Sequence, residues 1–418
     1  MEIGNRLKFF RIQKDMTQEE LANKIISVSY LSKIENNQTS ASIEVLELLC
    51  EKLGIKLIEE EEYTLLKDLN DWYFSIIQKK KEEAIAFHEH FTKNVQFIND
   101  SRAAILFVLF ELRFLLFIRE YDKAGEQIKK ISLFKDIFDS KMNYFYEKFV
   151  GQYYNLRNKF AIALEHFKLS EQILSNSIHF ENWEKADLYY HIGVNHNRIG
   201  KIALSTVYTQ QALSIYQSMY DLKRSAECHI LLGISYEKND DFQLAVDNYQ
   251  LAKKVAENMN DSYLLGLLHH NIGCLYSKQQ KTLEAIDEYK ESLRYKVETN
   301  IIGRIRSIHS LLAEYYNIGD VSSSRKWLNT GQEILAKHQN LEEFKIHFTF
   351  YEYWLNNDEA LEKFVEKEAI PFFEQEGDMK QVISYSEILA KRYQEKNKYK
   401  LASYYYSIVV KYLKMIRR

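Results

Sequence analysis

Small and apolar residues recur through the second half of the chain at a fixed step. Gly193, Gly233, Gly273 and Ala313 stand 40 residues apart, each preceded by Ile192, Leu232, Ile272 or Leu312. Three positions after the last three come Tyr236, Tyr276 and Tyr316, and twelve positions after two of the glycines come Ala245 and Ala285. Tyr249 and Tyr289 follow those alanines by four. Intervals of three and four mark helix faces, so each period reads as a helical hairpin. Its small residues stand where two antiparallel helices approach too closely for a large side chain, and its rings fill the grooves. Counted by the small residue of the second helix, hairpins fall near Ala84, Ala124, Ala163, Ser205, Ala245, Ala285 and Ser324. A degraded unit over 342–375 holds the single proline, Pro371, and a last one is marked by Leu389, Ala390, Tyr393, Ala402 and Tyr406. About nine hairpins are expected.

The first sixty residues follow another pattern. Ile3, Leu7 and Phe10 recur at helical spacing among Arg6, Lys8, Arg11 and Lys14, which predicts an amphipathic helix with a basic outer face. Thr17-Gln18-Glu19-Glu20 is a capping-box start, and the helix it opens runs through Leu21, Ala22 and Ile25. A turn around Ile26-Ser27 precedes a helix over Val28 to Asn36, with Leu31 and Ile34 inward. Ser42 caps a last helix carrying Ile43, Leu46, Leu49 and Leu53, ended by Gly54. Residues 1–58 thus form one domain, 59–68 a linker with an acidic run at Glu59–Glu62, and 69–418 the repeats.

Met16-Thr17-Gln18-Glu19-Glu20-Leu21-Ala22 and Tyr30-Leu31-Ser32-Lys33-Ile34-Glu35-Asn36 resemble the lambda-repressor-like, or XRE-type, helix-turn-helix. That family has a glycine at its turn, where Ile26 stands here, and one more residue before the second block. The resemblance implies operator DNA as a partner, read as a dimer. A recognition helix sits in the major groove with its N-terminal residues at base edges, which nominates Val28, Ser29, Tyr30 and Lys33, with Gln18 beside them. Arg6, Arg11, Lys24 and Asn37 are the expected phosphate contacts, which position the protein without reading sequence. Acidic and basic residues of the segment roughly cancel, so a helix-turn-helix serving as a protein-binding module is the alternative.

The 40-residue unit, Leu-Gly-x-x-Tyr followed by Ala-x-x-x-Tyr, is the core of the tetratricopeptide pattern, whose usual period is about 34. The extra residues call for longer helices or longer connections. The expected fold is all-α: a helix-turn-helix followed by a right-handed superhelix of about nine tetratricopeptide-like hairpins, with the first helix of each pair lining a groove. The groove side takes Gln152 and Asn155, then Asp187, Tyr190, Val194 and Asn197. Glu227, Ile230, Ile234 and Glu237 follow, then Leu267, His270, Cys274 and Ser277. Ser307, Ser310, Glu314 and Asn317 continue the row, which Glu387, Lys391 and Gln394 close. Amides beside apolar gaps suit an extended peptide, whose backbone the amides hold.

Leu69-Asn70-Asp71-Trp72-Tyr73, Asn258-Met259-Asn260-Asp261 and Leu268-His269-His270-Asn271-Ile272-Gly273 resemble the Rap proteins of Bacillus and NprR. With the helix-turn-helix in front, the layout is similar to the Rap/Rgg/NprR/PlcR/PrgX group, closest to NprR. The resemblance implies a cytoplasmic quorum-sensing transcription regulator switched by a short signalling peptide; an arbitrium-type phage lysis–lysogeny regulator has the same layout. Asn271 matches a groove asparagine of that family, and a second, expected three residues on, is Cys274. The group also contains antagonists of response regulators, which makes a Rap-like adaptor with a response-regulator partner the second reading. The position of the glutamine Rap proteins use on their target falls at Asn99-Asp100-Ser101-Arg102, with Gln96 a helical turn early, which weighs against a phosphatase.

Composition narrows the picture further. One proline and 13 glycines in 418 residues fit helix almost throughout, and 30 tyrosines with 24 phenylalanines fit ring-filled seams. Cys50, Cys228 and Cys274 are too few and too far apart for a disulfide framework. A net charge of −3 offers nothing to bulk nucleic acid, so any DNA contact is local. The most apolar stretch, Ala103 to Ile118, is broken by Glu111 and Arg113 and reads as a buried helix, so no membrane partner is expected. His88-Glu89-His90 and His269-His270 diverge around a helix and lack further ligands, so no metal is expected. No phosphate loop or catalytic arrangement stands out, and neither an enzyme nor a cofactor is implied.

Overall fold

A computed structural model of the chain describes residues 3–39, 41–55, 62–94, 101–176, 180–338 and 341–416. The chain divides into two compact units, Met1–Phe180 and Glu181–Arg418. The described residues are helical with no strand, and the all-α class and the hairpin stack expected from the sequence are what the structure contains.

The first unit opens with α1 (Ile3–Gln13), α2 (Gln18–Ala22), α3 (Val28–Glu35) and α4 (Ile43–Leu53). Leu7, Phe10, Leu21, Leu31, Ile34, Leu49 and Leu53 are buried in this head. The Thr17 hydroxyl accepts from the Glu20 amide at 3.1 Å, and the Glu20 carboxylate accepts from the Thr17 amide at 2.6 Å, completing the capping box. Ser27 and Ser42 cap α3 and α4, and Gly54 ends α4 in the left-handed region. One detail differs from expectation. α2 stops at Ala22, short of Ile25, because the chain turns at Lys24, whose φ is +66°. The left-handed turn residue is therefore Lys24 and not Ile26. Lys52 closes the turn by donating to the Asn23 carbonyl at 2.9 Å.

Three hairpins complete this unit: α5 (Glu62–Ile77) with α6 (Lys81–Asn94), α7 (Ser101–Phe117) with α8 (Tyr121–Ser132), and α9 (Ser140–Leu156) with α10 (Phe160–Asn176). Residues 62–68, expected in a linker, form the start of α5, while 59–61 lie outside the described residues, as do Gln96, Asn99 and Asp100. Trp72 anchors the first hairpin: it is fully buried, donates to the Ala84 carbonyl at 3.0 Å and stacks on Phe107. Tyr73 stacks on Phe110 at 4.6 Å.

The second unit holds six pairs. These are α11 (Asn182–Arg198) with α12 (Ile202–Ser218), α13 (Leu222–Lys238) with α14 (Phe242–Asn258), and α15 (Ser262–Lys278) with α16 (Thr282–Tyr295). Then come α17 (Ile301–Asn317) with α18 (Val321–Lys337), α19 (Glu342–Leu355) with an interrupted second helix, and α22 (Met379–Glu395) with α23 (Tyr399–Ile416). The interrupted helix is α20 (Leu361–Phe364), a π turn over Val365–Ala369, and α21 (Ile370–Glu376). The π turn accommodates Pro371, which has no N–H to give.

The 40-residue period comes from helix length. Helices of 17 residues alternate with three-residue connections. Each connection carries one left-handed residue: Gly200, Tyr220, Asp240, Asn260 or Gln280. The next amide reaches back five residues, as Asp221 to the Tyr216 carbonyl and Asp261 to the Ala256 carbonyl. Asp221, Asp261 and Asp320 then cap the following helix with their carboxylates. The ladder glycines serve close approach: a Cβ on Gly233 would lie 2.4 Å from the Tyr249 ring, and one on Gly273 would lie 2.6 Å from Tyr289.

Candidate functional site

Two regions carry polar groups beyond what the scaffold requires. The first is the outer edge of α3. Ser27 holds its first turn, Val28, Ser29 and Lys33 are exposed, and Tyr30 is half-buried. Around that edge the structure redistributes the expected phosphate contacts. Arg6 is only 4% exposed, with its charge beside Cys50 of α4, so it lies on the inner side of α1 and off the basic outer face. Arg11 grips the buried Glu35 carboxylate with Nε at 2.6 Å and Nη2 at 2.9 Å, and gives Nη1 to the Met16 carbonyl. Gln18 donates Nε2 to the same carboxylate at 2.7 Å. Arg11 and Gln18 are thus locked against α3, leaving the Gln18 carbonyl oxygen as the remaining acceptor of that amide. Asn37, with a φ of +54°, accepts from the Gly4 amide and donates to Asn5, fastening the end of α3 to α1. Lys24 is exposed.

The second region is the inner side of the second unit. There α11, α13, α15, α17 and α19 each touch their successor, as befits the first helices of stacked hairpins. Asp187 of α11, Arg224 and Glu227 of α13 and Tyr216 of α12 form one buried cluster. Arg224 donates Nη1 to Glu227 at 2.6 Å, Nη2 to Asp187, and Nε to the Tyr216 hydroxyl at 3.2 Å, while its plane covers Tyr190 at 5.3 Å. Burial works against its charge, but the two carboxylates overcome that and hold its pKa above the ordinary value.

One step along, Asn197 donates to the Ser235 hydroxyl at 2.9 Å, and its carbonyl accepts from Lys238 at 2.9 Å. The contact repeats 40 residues later, where Lys278 donates to the Glu237 carbonyl at 2.5 Å and pairs with Asp240. Lys238 and Lys278 thus fasten α13 and α15 to the C-terminal carbonyls of the first helix before each.

The third cluster centres on Ser307 of α17. It meets His270 Nδ1 at 3.1 Å and accepts from Lys296 Nζ at 2.7 Å. Cys274 receives the Tyr289 hydroxyl at 3.5 Å, and Ser277 donates to Glu314. Burial, then the Lys296 charge, pushes His270 well below the ordinary histidine value. Burial and Arg306 bring Lys296 down to about 7, and burial lifts the Cys274 thiol to about 11.

The expected groove residues therefore divide. Tyr190, Val194, Ile234, Cys274 and Ser310 are half-buried, and Asn317 and Lys391 are exposed, the latter paired with Glu387 at 2.8 Å. Asp187, Asn197, Glu227, His270 and Glu314 are buried in the contacts above, and Ile230 packs in the core with Leu264 and Leu268. Asn271 of α15 is 9% exposed with its Nδ2 unpartnered, and Asn195 of α11 is fully buried with neither amide atom partnered. Gln152 and Asn155 stand on α9 of the first unit. Gln152 is buried with neither amide atom partnered, and Asn155 has an unpartnered Nδ2.

Sequence reasoning missed a set of charges. Arg198, Arg306 and Lys380 are exposed and form no ion pair among the described residues. Their charges nonetheless act on one another and on buried neighbours. Burial and then Arg306 hold Arg198 down, while burial, Lys380 and Arg198 bring Lys238 to about 8. Burial raises Glu343 above the usual carboxylate range despite Arg306 and Arg198, and Asp378 adds to the rise. The signal was in the register: α17 begins 39 residues after α15, so Arg306 takes the place of Asp187, Glu227 and Leu267 in the preceding repeats. No group of three or more metal-ligating residues occurs among the described residues, and no described helix is long and apolar enough to cross a membrane.

A helix-turn-helix family model matches residues 7–59. The transcriptional activator NprA of Geobacillus stearothermophilus is 38% identical over 402 residues, covering 94% of this chain and 99% of that one. A Rap protein solved with competence and sporulation factor superposes with a TM-score of 0.74 at 17% identity, covering 85% of this chain and 99% of that one. NprR solved with its cognate peptide NprX gives 0.67 at 18%, covering 85% and 100%. The two solved structures establish the shared fold, and the identity to NprA, sustained along both chains, establishes kinship: the chain belongs to the NprA family of helix-turn-helix transcription regulators, in the Rap/NprR group.

Proposed function

We propose that this protein binds operator DNA as a dimer through the α3 edge and is switched by a short peptide held on the inner side of the second unit. It is a cytoplasmic quorum-sensing regulator on this reading, with residues 1–58 as the reader and 69–418 as the receptor. The observation that carries it is the contrast within the head. Arg11 and Gln18 are held against Glu35, while Val28 and Ser29 stand outward at the end of α3 that a major groove receives, with Lys33 exposed in its last turn. NprA acts as a transcriptional activator and NprR was solved with a peptide, which supports both halves. Among the predicted residues on the second unit, Tyr190, Val194, Ile234, Asn271, Cys274, Ser310 and Asn317 remain reachable or unsatisfied and are the proposed peptide contacts. Arg198, Arg306 and Lys380 supply the charge for a carboxylate on the peptide.

The switch needs only that peptide affinity differ between two arrangements of the stack; equal affinity would shift nothing. To test the reading, chromatin fragments recovered with the full-length protein are titrated against it by fluorescence anisotropy. Ser29→Ala/Lys33→Ala should remove binding while circular dichroism stays unchanged. Equal binding by that variant sinks the DNA half. A library of random heptapeptides, as free acids and as C-terminal amides, tests the other half by mass spectrometry of retained species. Retention of acids over amides that Arg306→Met abolishes is the expected result. The second reading, a response-regulator antagonist, draws on the response regulator aspartate phosphatase I of Bacillus subtilis, 22% identical over 68% of this chain; it takes over if neither DNA nor peptide is retained.

A further inference from the structure

The short turn between α8 and α9 ties the head to the third hairpin. Phe9 of α1 is 1% exposed, and what closes over it is Phe134, itself fully buried, with ring centroids 5.0 Å apart and planes at 85°. Beside it Lys8 pairs with Asp136, and Asp15 lies 3.9 Å from Lys130 of α8. Lys135, between those two residues on a 3-10 turn (Lys135–Ile137), reaches the other way. Its Nζ is 2.5 Å from Glu147 of α9 and covers the Tyr146 ring at 4.7 Å. His166 of α10 holds the other Glu147 oxygen at 2.6 Å. The apolar side is continuous as well: Phe134 meets Phe138 edge-on, and Phe138 meets Tyr146. Successive residues of one turn thus grip two bodies, Phe134 and Asp136 the head, Lys135 the third hairpin.

We propose that Phe134-Lys135-Asp136 is a clasp that docks the head on the repeats and passes movements of α9 and α10 to the recognition helix. This rests on the reading of the head as the DNA reader and the repeats as the receptor. A head on a loose tether would report nothing about the stack behind it. A head sharing its Phe9 with a turn anchored at Glu147 must follow that turn or release it. Glu147 is a suitable anchor because burial tends to protonate it, yet His166 and Lys135 more than offset this and keep it ionised. The Lys8–Asp136 pair is partly exposed and steers more than it holds; the rings hold.

The test is hydrogen exchange by mass spectrometry on the full-length chain. In Phe134→Ala, amides of α1 should exchange roughly tenfold faster while α3 and α4 keep their protection, showing a head released and still folded. Asp136→Lys should give a smaller rise that Lys8→Asp/Asp136→Lys reverses. Glu147→Gln, which touches no head residue, should also speed α1 by about threefold. Unchanged α1 exchange in Phe134→Ala, or loss of α3 protection that the charge swap does not restore, overturns the docking. A Glu147→Gln effect confined to α9 and α10 overturns the transmission. A mixed-sequence 30-base-pair duplex is titrated in parallel. If wild type fails to bind it, the DNA reading fails while the exchange data still decide on the clasp.

Discussion

Gly233→Ala sets a favourable local effect against an unfavourable packing one. Alanine is about 1 kcal/mol better than glycine inside a helix, so an unpacked position would gain stability. At Gly233 the new Cβ would lie 2.4, 2.6 and 2.9 Å from three carbons of the Tyr249 ring, where carbon contacts settle at about 3.5–4.0 Å. Tyr249 is 1% exposed and its hydroxyl is held by Glu237 at 3.1 Å, so the ring has nowhere to go without leaving that carboxylate. Overpacking costs roughly 1–3 kcal/mol, and three contacts this short on a held ring belong at the upper end, about 2–3; less the helix gain of about 1, the net expectation is a loss of about 1–2 kcal/mol. Because a repeat stack does not unfold in one step, the loss should be read by hydrogen exchange in α13 and α14 alongside the thermal transition. Gly233→Ala/Tyr249→Leu then forms a double-mutant cycle, with a favourable coupling expected well above the roughly 0.5 kcal/mol seen for independent sites. A single variant as stable as wild type, or an additive cycle, would refute the claim that the ladder exists for close approach.

Three other perturbations probe the charges. Glu35→Gln removes the carboxylate that Arg11 and Gln18 share, leaving a half-buried guanidinium unpaired; the head should lose about 3–5 kcal/mol, seen as early exchange of α1–α4 with α11–α18 unaffected. Arg224→Met strands Asp187 and Glu227 in the interior, so the variant should melt lower than wild type at neutral pH and recover part of the difference on acidification, as the carboxylates take up protons. In wild type the histidines act in the opposite sense. Burial holds His309 down at about 4 and His347 well below 6.5, with ring centroids 4.6 Å apart, so the unfolded chain binds protons that the native one refuses. Their stabilising effect is complete above pH 6.5 and lost as pH falls toward 4, so melting temperature should drop across that window, and His309→Phe should flatten the drop.

Much of the fold is local, which is why it was legible. The 40-residue step, the capping box at Thr17, the serine caps and Gly54 follow from neighbours within one or two turns. The fate of charged residues was not legible in the same way, because their partners are far along the chain. Arg11 finds Glu35, and Asp187 finds Arg224 on the next first helix. The register rule placed Asn197 and Glu314 in the groove, yet the neighbouring first helix meets that same turn and occupies both. Arg306 was hidden by the step: counted at 40 it aligns with Gly266, but α17 begins 39 residues after α15 and puts it in the row of Asp187, Glu227 and Leu267.

That division bears on what the groove can hold. Polar groups already satisfied by one another offer a ligand nothing, since breaking them returns only what is lost. What remains on the inner side are the Asn271 Nδ2, which lacks a partner among the described residues, and the cations Arg198, Arg306 and Lys380, which form no ion pair among them. A buried amide without a partner is costly, and burial first, then neighbouring cations, hold Arg198 and Lys238 down, even with Glu343 and Asp378 drawing Arg198 the other way. A ligand that brings carbonyl acceptors and a negative charge relieves both costs, and a short peptide with a free carboxylate brings both. On this reading a basic or C-terminally amidated peptide should bind weakly however well its side chains fit. Bound peptide should also raise the pKa of Lys238 from about 8, so binding near neutrality would take up a fraction of a proton. Calorimetry in buffers of different ionisation enthalpy measures that uptake, and its absence would place the carboxylate elsewhere.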